Sequence, residues 1–422
     1  MCGTSAMGQR RIARLCGAGL VAALALVAVA CGSGGGGGEG GGGAAFGSQF
    51  NQPPAFDNTV LSIVPLGNGT GDLYVGGAFT SYNGTVANGL VRLNPDGIVD
   101  RTFVTGTGFN NTVFSIALAG DGSGDLYVGG SFTSYNGTVA NGLVRLHADG
   151  TVDRTFVTGT GFNNTVFSIA PARDGTGNLY VGGAFTSYSQ QMVANSLVRL
   201  HADGTVDLSF VTGTGFNNTV FSIAPAGDGT GNLYVGGAFT SYNQQTVANS
   251  LVRLHADGTV DLAFATGSGF NNSVRSIAPA GDGTGNLYVG GAFTSYSQQT
   301  VANGLVRLHP NGMVDPTFAT GTGFNNTVYS IAPAGDGTGN LYVGGAFTSY
   351  SQQTVANGLV RLHPNGTVDP TFVTGAGFNG SVRTIAPAGD GTGNLYVGGD
   401  FTSYQSLTIG RIVRLNSQGT TF

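Results

Sequence analysis

FNNTVFSIALAGDGSGDLYVGGSFTSYNGTVANGLVRLHADGTVDRTF, residues 109–156, holds four short strand-like runs: Thr112–Ala117, Leu126–Phe132, Leu143–Leu146 and Thr151–Phe156. Turn chemistry separates them. Gly120-Asp121-Gly122-Ser123-Gly124-Asp125 lies between the first two and is rich in residues that tolerate positive φ. Asp149-Gly150 lies between the last two, and Asp-Gly is a strong hairpin signal. The run Leu126-Tyr127-Val128-Gly129-Gly130-Ser131-Phe132 does not alternate cleanly between apolar and polar. That is the pattern of a strand covered on both faces.

The stretch is one copy of seven. Its opening residue recurs as Phe56, Phe109, Phe162, Phe216, Phe270, Phe324 and Phe378, so successive copies are 53, 53, 54, 54, 54 and 54 residues apart. The extra residue enters where Ser-Tyr-Asn-Gly-Thr-Val becomes Ser-Tyr-Asn-Gln-Gln-Thr-Val, which marks that segment as a surface loop. A period near 50 with four strands per unit is that of a propeller blade. The expected fold is an all-β, seven-bladed β-propeller of four-stranded antiparallel blades, closed by the N-terminal strand. Six copies finish in Asp-x-x-Phe, at Phe103, Phe156, Phe210, Phe264, Phe318 and Phe372, whereas the seventh stops at Phe422. Phe50 lies six residues before Phe56, as Phe103 lies six before Phe109, although Gly47 stands where Asp is expected. The segment around Phe50 is therefore expected to complete the last blade and hide the ring's edges.

Three motifs recur: Val-Gly-Gly-x-Phe-Thr-x-Tyr, Asn-x-Leu-Val-Arg-Leu, and Asp-Gly-x-Val-Asp-x-x-Phe. Together they resemble the delta-60 repeat family of β-propellers, over residues 47–422. The resemblance implies a bacterial exported propeller. It implies no settled activity and supplies no catalytic residues. The first hairpin, Gly-Asp-Gly-Thr-Gly-Asn, is longer here than in typical members.

The N-terminus has another character. Arg10, Arg11 and Arg14 precede an uncharged, mostly apolar run from Leu15 to Ala30. It has the make-up of a signal peptide and is short for a membrane span, which needs about 20 residues. Ala28-Val29-Ala30-Cys31 resembles a bacterial lipobox, which implies acylation of Cys31 after removal of residues 1–30. Residues 31–46 form a Gly-rich tether, followed by the propeller at 47–422. The lipid bilayer, reached through Cys31, is the expected anchor, and outer membrane or cell surface the expected location.

Composition narrows the chemistry. The three cysteines, Cys2, Cys16 and Cys31, all precede the repeats, which excludes disulfides and thiolate chemistry from the propeller. The chain has no lysine, and its 16 basic residues face 21 acids, a poor match to nucleic acid. Neither a Gly-x-Ser-x-Gly elbow nor a phosphate loop occurs. No catalytic residue, cofactor or metal is expected. His147, His201, His255, His309 and His363 occupy one equivalent turn position and cannot share an ion, because adjacent sheets lie about 10 Å apart. The Gly-Asp-Gly loops offer too few carboxylates for strong calcium binding.

Other positions are candidates for structure or binding. An Arg lies eight residues before a repeated Asp, as in Arg145 with Asp153 and Arg199 with Asp207, and is expected to form a structural ion pair. The second inner-strand position varies most: Leu61, Phe114, Phe167, Phe221, Arg275, Tyr329, Arg383. A position that accepts both Phe and Arg is not wholly buried. Arg275, Tyr329 and Arg383 are thus candidate ligand contacts, as a cationic patch at the channel mouth. Blade-joining loops and the loops between second and third strands should share one face rich in neutral polar groups. There Asn217, Asn218, Tyr242, Gln244 and Gln245 are the candidate contacts. The expected function is a non-enzymatic protein- or glycan-binding or scaffold module. The alternatives are a hydrolase or lyase acting on polysaccharide, or a purely structural surface component.

Overall fold

The computed structural model describes residues 55–422. The segments expected to be a signal peptide and a tether, with Cys31 and Phe50, lie outside the described residues. In the second blade the inner strand Val113–Leu118 pairs with Leu126–Gly130, which pairs with Leu143–Leu146, all antiparallel. Between the second and third strands projects a small hairpin, Ser134–Tyr135 against Thr138–Val139. The same set recurs in all seven blades.

The fourth strand is shorter than its sequence suggests. Of Thr151–Phe156 only Val152 forms a ladder pair, with Leu146. The Asp153 carboxylate then accepts hydrogen bonds from the Thr155 amide at 2.8 Å and hydroxyl at 2.6 Å. This local capture by a side chain is an Asx-type turn and ends the strand. It also carries Phe156 into the core shared with the third blade, with its ring 5.3 Å from that of Tyr127. The last blade forms the corresponding bridge from its own C-terminus, Leu415 with Thr421. The N-terminal segment is not required for that pair.

Blades meet through the first glycine of each Val-Gly-Gly. A methyl group on Gly236 would stand 2.6 Å from Val274 Cγ1 and 2.7 Å from Ile277 Cδ1 of the next blade. On Gly398 it would stand 2.5 Å from Val60 Cγ1 and 3.0 Å from Ile63 Cδ1, so the seventh blade seats the first as every other blade seats its successor. A backbone bond repeats the point. The Phe109 amide donates to the Asn88 carbonyl at 3.0 Å, and at the closing seam the Phe56 amide donates to the Gly410 carbonyl at 3.2 Å. The ring is closed among the described residues alone.

The length change has a local consequence. In the 53-residue copies, Val86 and Val139 end the small hairpin and are 68% and 67% exposed. In the longer copies the hairpin ends one residue earlier, at Thr246 for instance, and Val247 packs against the core.

Gly236→Ala is expected to lower unfolding stability by about 1–3 kcal/mol, the usual cost of overpacking. Denaturant unfolding of the two proteins measures it.

Candidate functional site

The blade-joining segments and the small hairpins do share a face, held together by asparagine. Asn217 Oδ1 accepts from the amides of Thr240 at 2.9 Å and Ser241 at 3.0 Å, and its Nδ2 donates to Thr240 Oγ1 at 2.8 Å. Asn218 is exposed and accepts from the Thr219 amide at 2.7 Å. Tyr242 is 3% exposed, and its hydroxyl donates to the Gly258 carbonyl at 2.6 Å. That is a correction to its place among the ligand contacts: burial and a satisfied hydroxyl make it a packing residue. Gln244 and Gln245 are exposed at the hairpin tip, Gln244 with φ at 63°.

On the blade flanks the repeated arginine gathers carboxylates. Arg145 Nε lies 3.3 Å from Asp153, and its Nη2 lies 2.6 Å from Asp121 and 3.0 Å from Asp125. Arg199 reaches Asp207 at 3.3 Å and Asp174 at 2.5 Å. In the sixth blade Arg361 engages Asp369 through Nε and Nη2, both at 2.7 Å, and donates to the Ser417 carbonyl of the seventh blade. The loop partners Asp121 and Asp174 were not foreseen. Their signal is an acid at the same loop position in six copies, Asp121, Asp174, Asp228, Asp282, Asp336 and Asp390, where the first copy has Asn68. Burial works to raise the Asp369 carboxyl. The Thr371 hydroxyl and amide, with Arg361, outweigh it and hold the pKa below the ordinary value.

Asp125, His147 and Asp153 group in a way that could ligate a metal. They do not fit one well, because the Arg145 guanidinium already contacts both carboxylates and repels a cation. Two pockets on the flanks of the first two blades measure about 40 Å³ each, room for little beyond water.

The inner strands line the channel, and the variable position has a structural identity. In the fifth blade Val274 pairs with Gly291 and Ser276 with Gly290, so Arg275 is the extra residue of a β-bulge. The equivalent residue bulges in every blade and is half-buried in each. Phe114 packs at a steep tilt against Phe167, ring centroids 5.0 Å apart, and Phe167 edge-on against Phe221, 5.5 Å apart. Arg275 lies over the Phe221 ring at 3.9 Å, and Arg383 over Tyr329 at 4.2 Å. The mouth is aromatic on one side and cationic on the other.

The two arginines differ. Arg383 donates to Asp400 through Nε at 2.7 Å and lies 2.6 Å from it through Nη2, and Thr59 of the first blade donates to the same carboxylate at 2.9 Å. The sequence reading missed Asp400. Its signal is a lone acid at a place where the other copies carry Ala78, Ser131, Ala184, Ala238, Ala292 and Ala346. Among the described residues Arg275 forms no ion pair, and its Nε is buried without a hydrogen-bond partner.

A family model described as "Domain of unknown function (DUF5122) beta-propeller" matches residues 70–103, 122–156, 175–210, 229–264, 283–318, 337–372 and 391–421, more than half the chain. The chain belongs to this family. The segments that match the DUF5122 pattern run from the loop before the second strand to the end of the Asp-x-x-Phe turn, so Arg275, Tyr329 and Arg383 fall between them. No curated protein matches this DUF5122 chain. Among solved structures it is similar to the WD40 β-propeller domain of Doa1, with TM-score 0.52 and 13% identity over 87% of this chain and 95% of that one. It is also similar to the GH74 enzyme of Niastella koreensis, with TM-score 0.53 and 15% identity over 90% of this chain. A third likeness is to the GH74 xyloglucanase of Xanthomonas campestris, with TM-score 0.51 and 13% identity over 87% of this chain. The chain spans about half the length of the two GH74 structures, 54% and 53%. These likenesses show a shared fold.

Asp369→Leu is expected to cost about 3–5 kcal/mol, because it strands the buried Arg361. Arg361→Met combined with Asp369→Leu is expected to cost less than the single change, as read by denaturant unfolding. A second outcome concerns acid. Asp153, Asp207, Asp315 and Asp369 all have folded-state pKa values below the ordinary one. Their stabilisation is present above the unfolded value of about 4 and disappears as pH falls through the folded values. The melting temperature should be near its plateau at pH 6 and drop steeply below about pH 4.

Proposed function

We propose that this DUF5122 propeller, built of delta-60-type repeats, is a non-enzymatic binding or scaffold module for a protein or glycan partner. In this reading it is exported, acylated at Cys31 and held at the outer membrane or cell surface. Repetition carries the proposal. Four consecutive blades present exposed Gln-Gln pairs at one place, 190–191, 244–245, 298–299 and 352–353. Equivalent donors and acceptors spaced around a ring suit a multivalent or extended partner, for which weak contacts add through effective concentration.

The carboxylates support the same reading. Asp153, Asp207, Asp315 and Asp369 contact arginine and cap turns, and their depressed pKa values keep them ionised at neutral pH. A general acid needs a carboxyl held in the opposite direction.

Cells expressing the wild-type chain should incorporate palmitate label into it, and Cys31→Ser should abolish the label. Affinity capture from envelope fractions should recover a partner or glycan. Gln244→Gly with Gln245→Ala, repeated at the equivalent tips of the other three blades, should cut capture at least ten-fold. Undiminished capture, or turnover of a polysaccharide by the purified protein, would overturn the proposal.

A further inference from the structure

The seven blades provide their own comparison set. Where the bulge residue becomes Arg383, the residue that follows the Gly-Gly pair becomes Asp400, and the charge is answered within the blade. Where it becomes Arg275, the corresponding residue stays Ala292. The local geometry is the same in both blades: Val382 pairs with Gly399, just before Asp400, and Val274 pairs with Gly291, just before Ala292. The fifth blade therefore carries the cation of this arrangement without its carboxylate.

The surroundings of Arg275 sharpen the mismatch. Its guanidinium lies against the Phe221 face at 3.9 Å, which satisfies no N–H donor. Its Nε is buried and makes no hydrogen bond among the described residues. Burial pulls its pKa below the usual arginine value; Tyr329 opposes that, and Arg383 reinforces it. A half-buried cation with free donors is what a carboxylate completes, through short charge-assisted bonds in fork geometry. Beyond Phe221 the aromatic row continues through Phe167 and Phe114, whose rings meet at steep interplanar angles of 62° and 59°. That row offers apolar surface beside the cation.

We propose that the channel mouth is a binding site for an organic carboxylate, its anionic group on Arg275 and its apolar part against the neighbouring aromatic row of Phe167 and Phe114. The site deepens the reading of this propeller as a binding module and rests on it. Arg383 is not the receptor, because Asp400 already holds it. The family pattern does not include these positions, so the site is a property of this chain's inner strands.

Calorimetric titration of the purified protein with phenylacetate tests it, with phenylacetamide as the uncharged analogue and inorganic phosphate as the anion without an apolar face. Phenylacetate should bind at least ten-fold more tightly than either. Arg275→Phe places at this bulge the residue that three sister blades carry there, so the ring should fold, and binding should fall at least ten-fold. Ala292→Asp keeps the arginine but supplies the missing partner, and should weaken binding to a similar degree. Arg383→Gln should change it less than three-fold. Competition by oligogalacturonate would show that the carboxylate can come from a polysaccharide uronate, and its failure to compete would assign the site to small free acids. Equal affinity for the amide, equal affinity for phosphate, no binding at all, or full binding by both Arg275→Phe and Ala292→Asp would overturn the site. If carboxylate binding is absent while envelope capture persists, this inference alone falls. If both are absent, the binding-module reading falls with it.

Discussion

A glycine with no room for a methyl group sets the spacing of the whole ring. At Gly76, Gly129, Gly182, Gly236, Gly290, Gly344 and Gly398, a valine and an isoleucine of the next blade press directly onto bare backbone. The same valine and isoleucine contact recurs at all seven seams, including the one between the seventh blade and the first. Ser62 and its counterparts in the next five blades add a second constraint, each accepting a hydrogen bond from the next blade's isoleucine amide at 3.1–3.2 Å. Apolar fit sets the distance, and the hydroxyl sets the register along the strand.

Farther from the axis the seams are electrostatic. The repeated arginines of the first six blades read their own blade's carboxylates, and in the first, fifth and sixth blades the arginine also donates to a carbonyl of the following one, as Arg307 does to Pro364 at 2.8 Å. The phenylalanine of the Asp-x-x-Phe turn inserts at the same seam beside a tyrosine. A single short turn thus unites the aspartate that orients the arginine with the ring that plugs the gap.

The repeat count, the first three strands of each blade and the shared polar face were all legible in the sequence. Turn dipeptides and doubly apolar strands are local signals, and seven copies reinforced them. The fourth strand misled because Val152-Asp153 has strand-like neighbours, whereas the Asp153–Thr155 contact that breaks it is a side-chain event. Tyr242 misled for a related reason. Its position next to an exposed loop suggested access, but the hydroxyl turns inward to Gly258. The variable bulge position was visible as variation, yet the difference between its two arginines was not. Arg275 and Arg383 look alike along the chain until Asp400, seventeen residues past Arg383, is brought beside it.

The bulge also bears on how such a ring can diversify. A residue inside a ladder is tied to the partners across from it, so changing it disturbs two strands at once. The extra residue of a bulge has no opposite number and has already accommodated leucine, phenylalanine, tyrosine and arginine within this one molecule. Duplication of a blade followed by substitution at that point alters the lining of the axis without retuning the seams. The propeller thereby keeps a uniform frame while each blade contributes one letter to a seven-letter inner rim, read together with its neighbours.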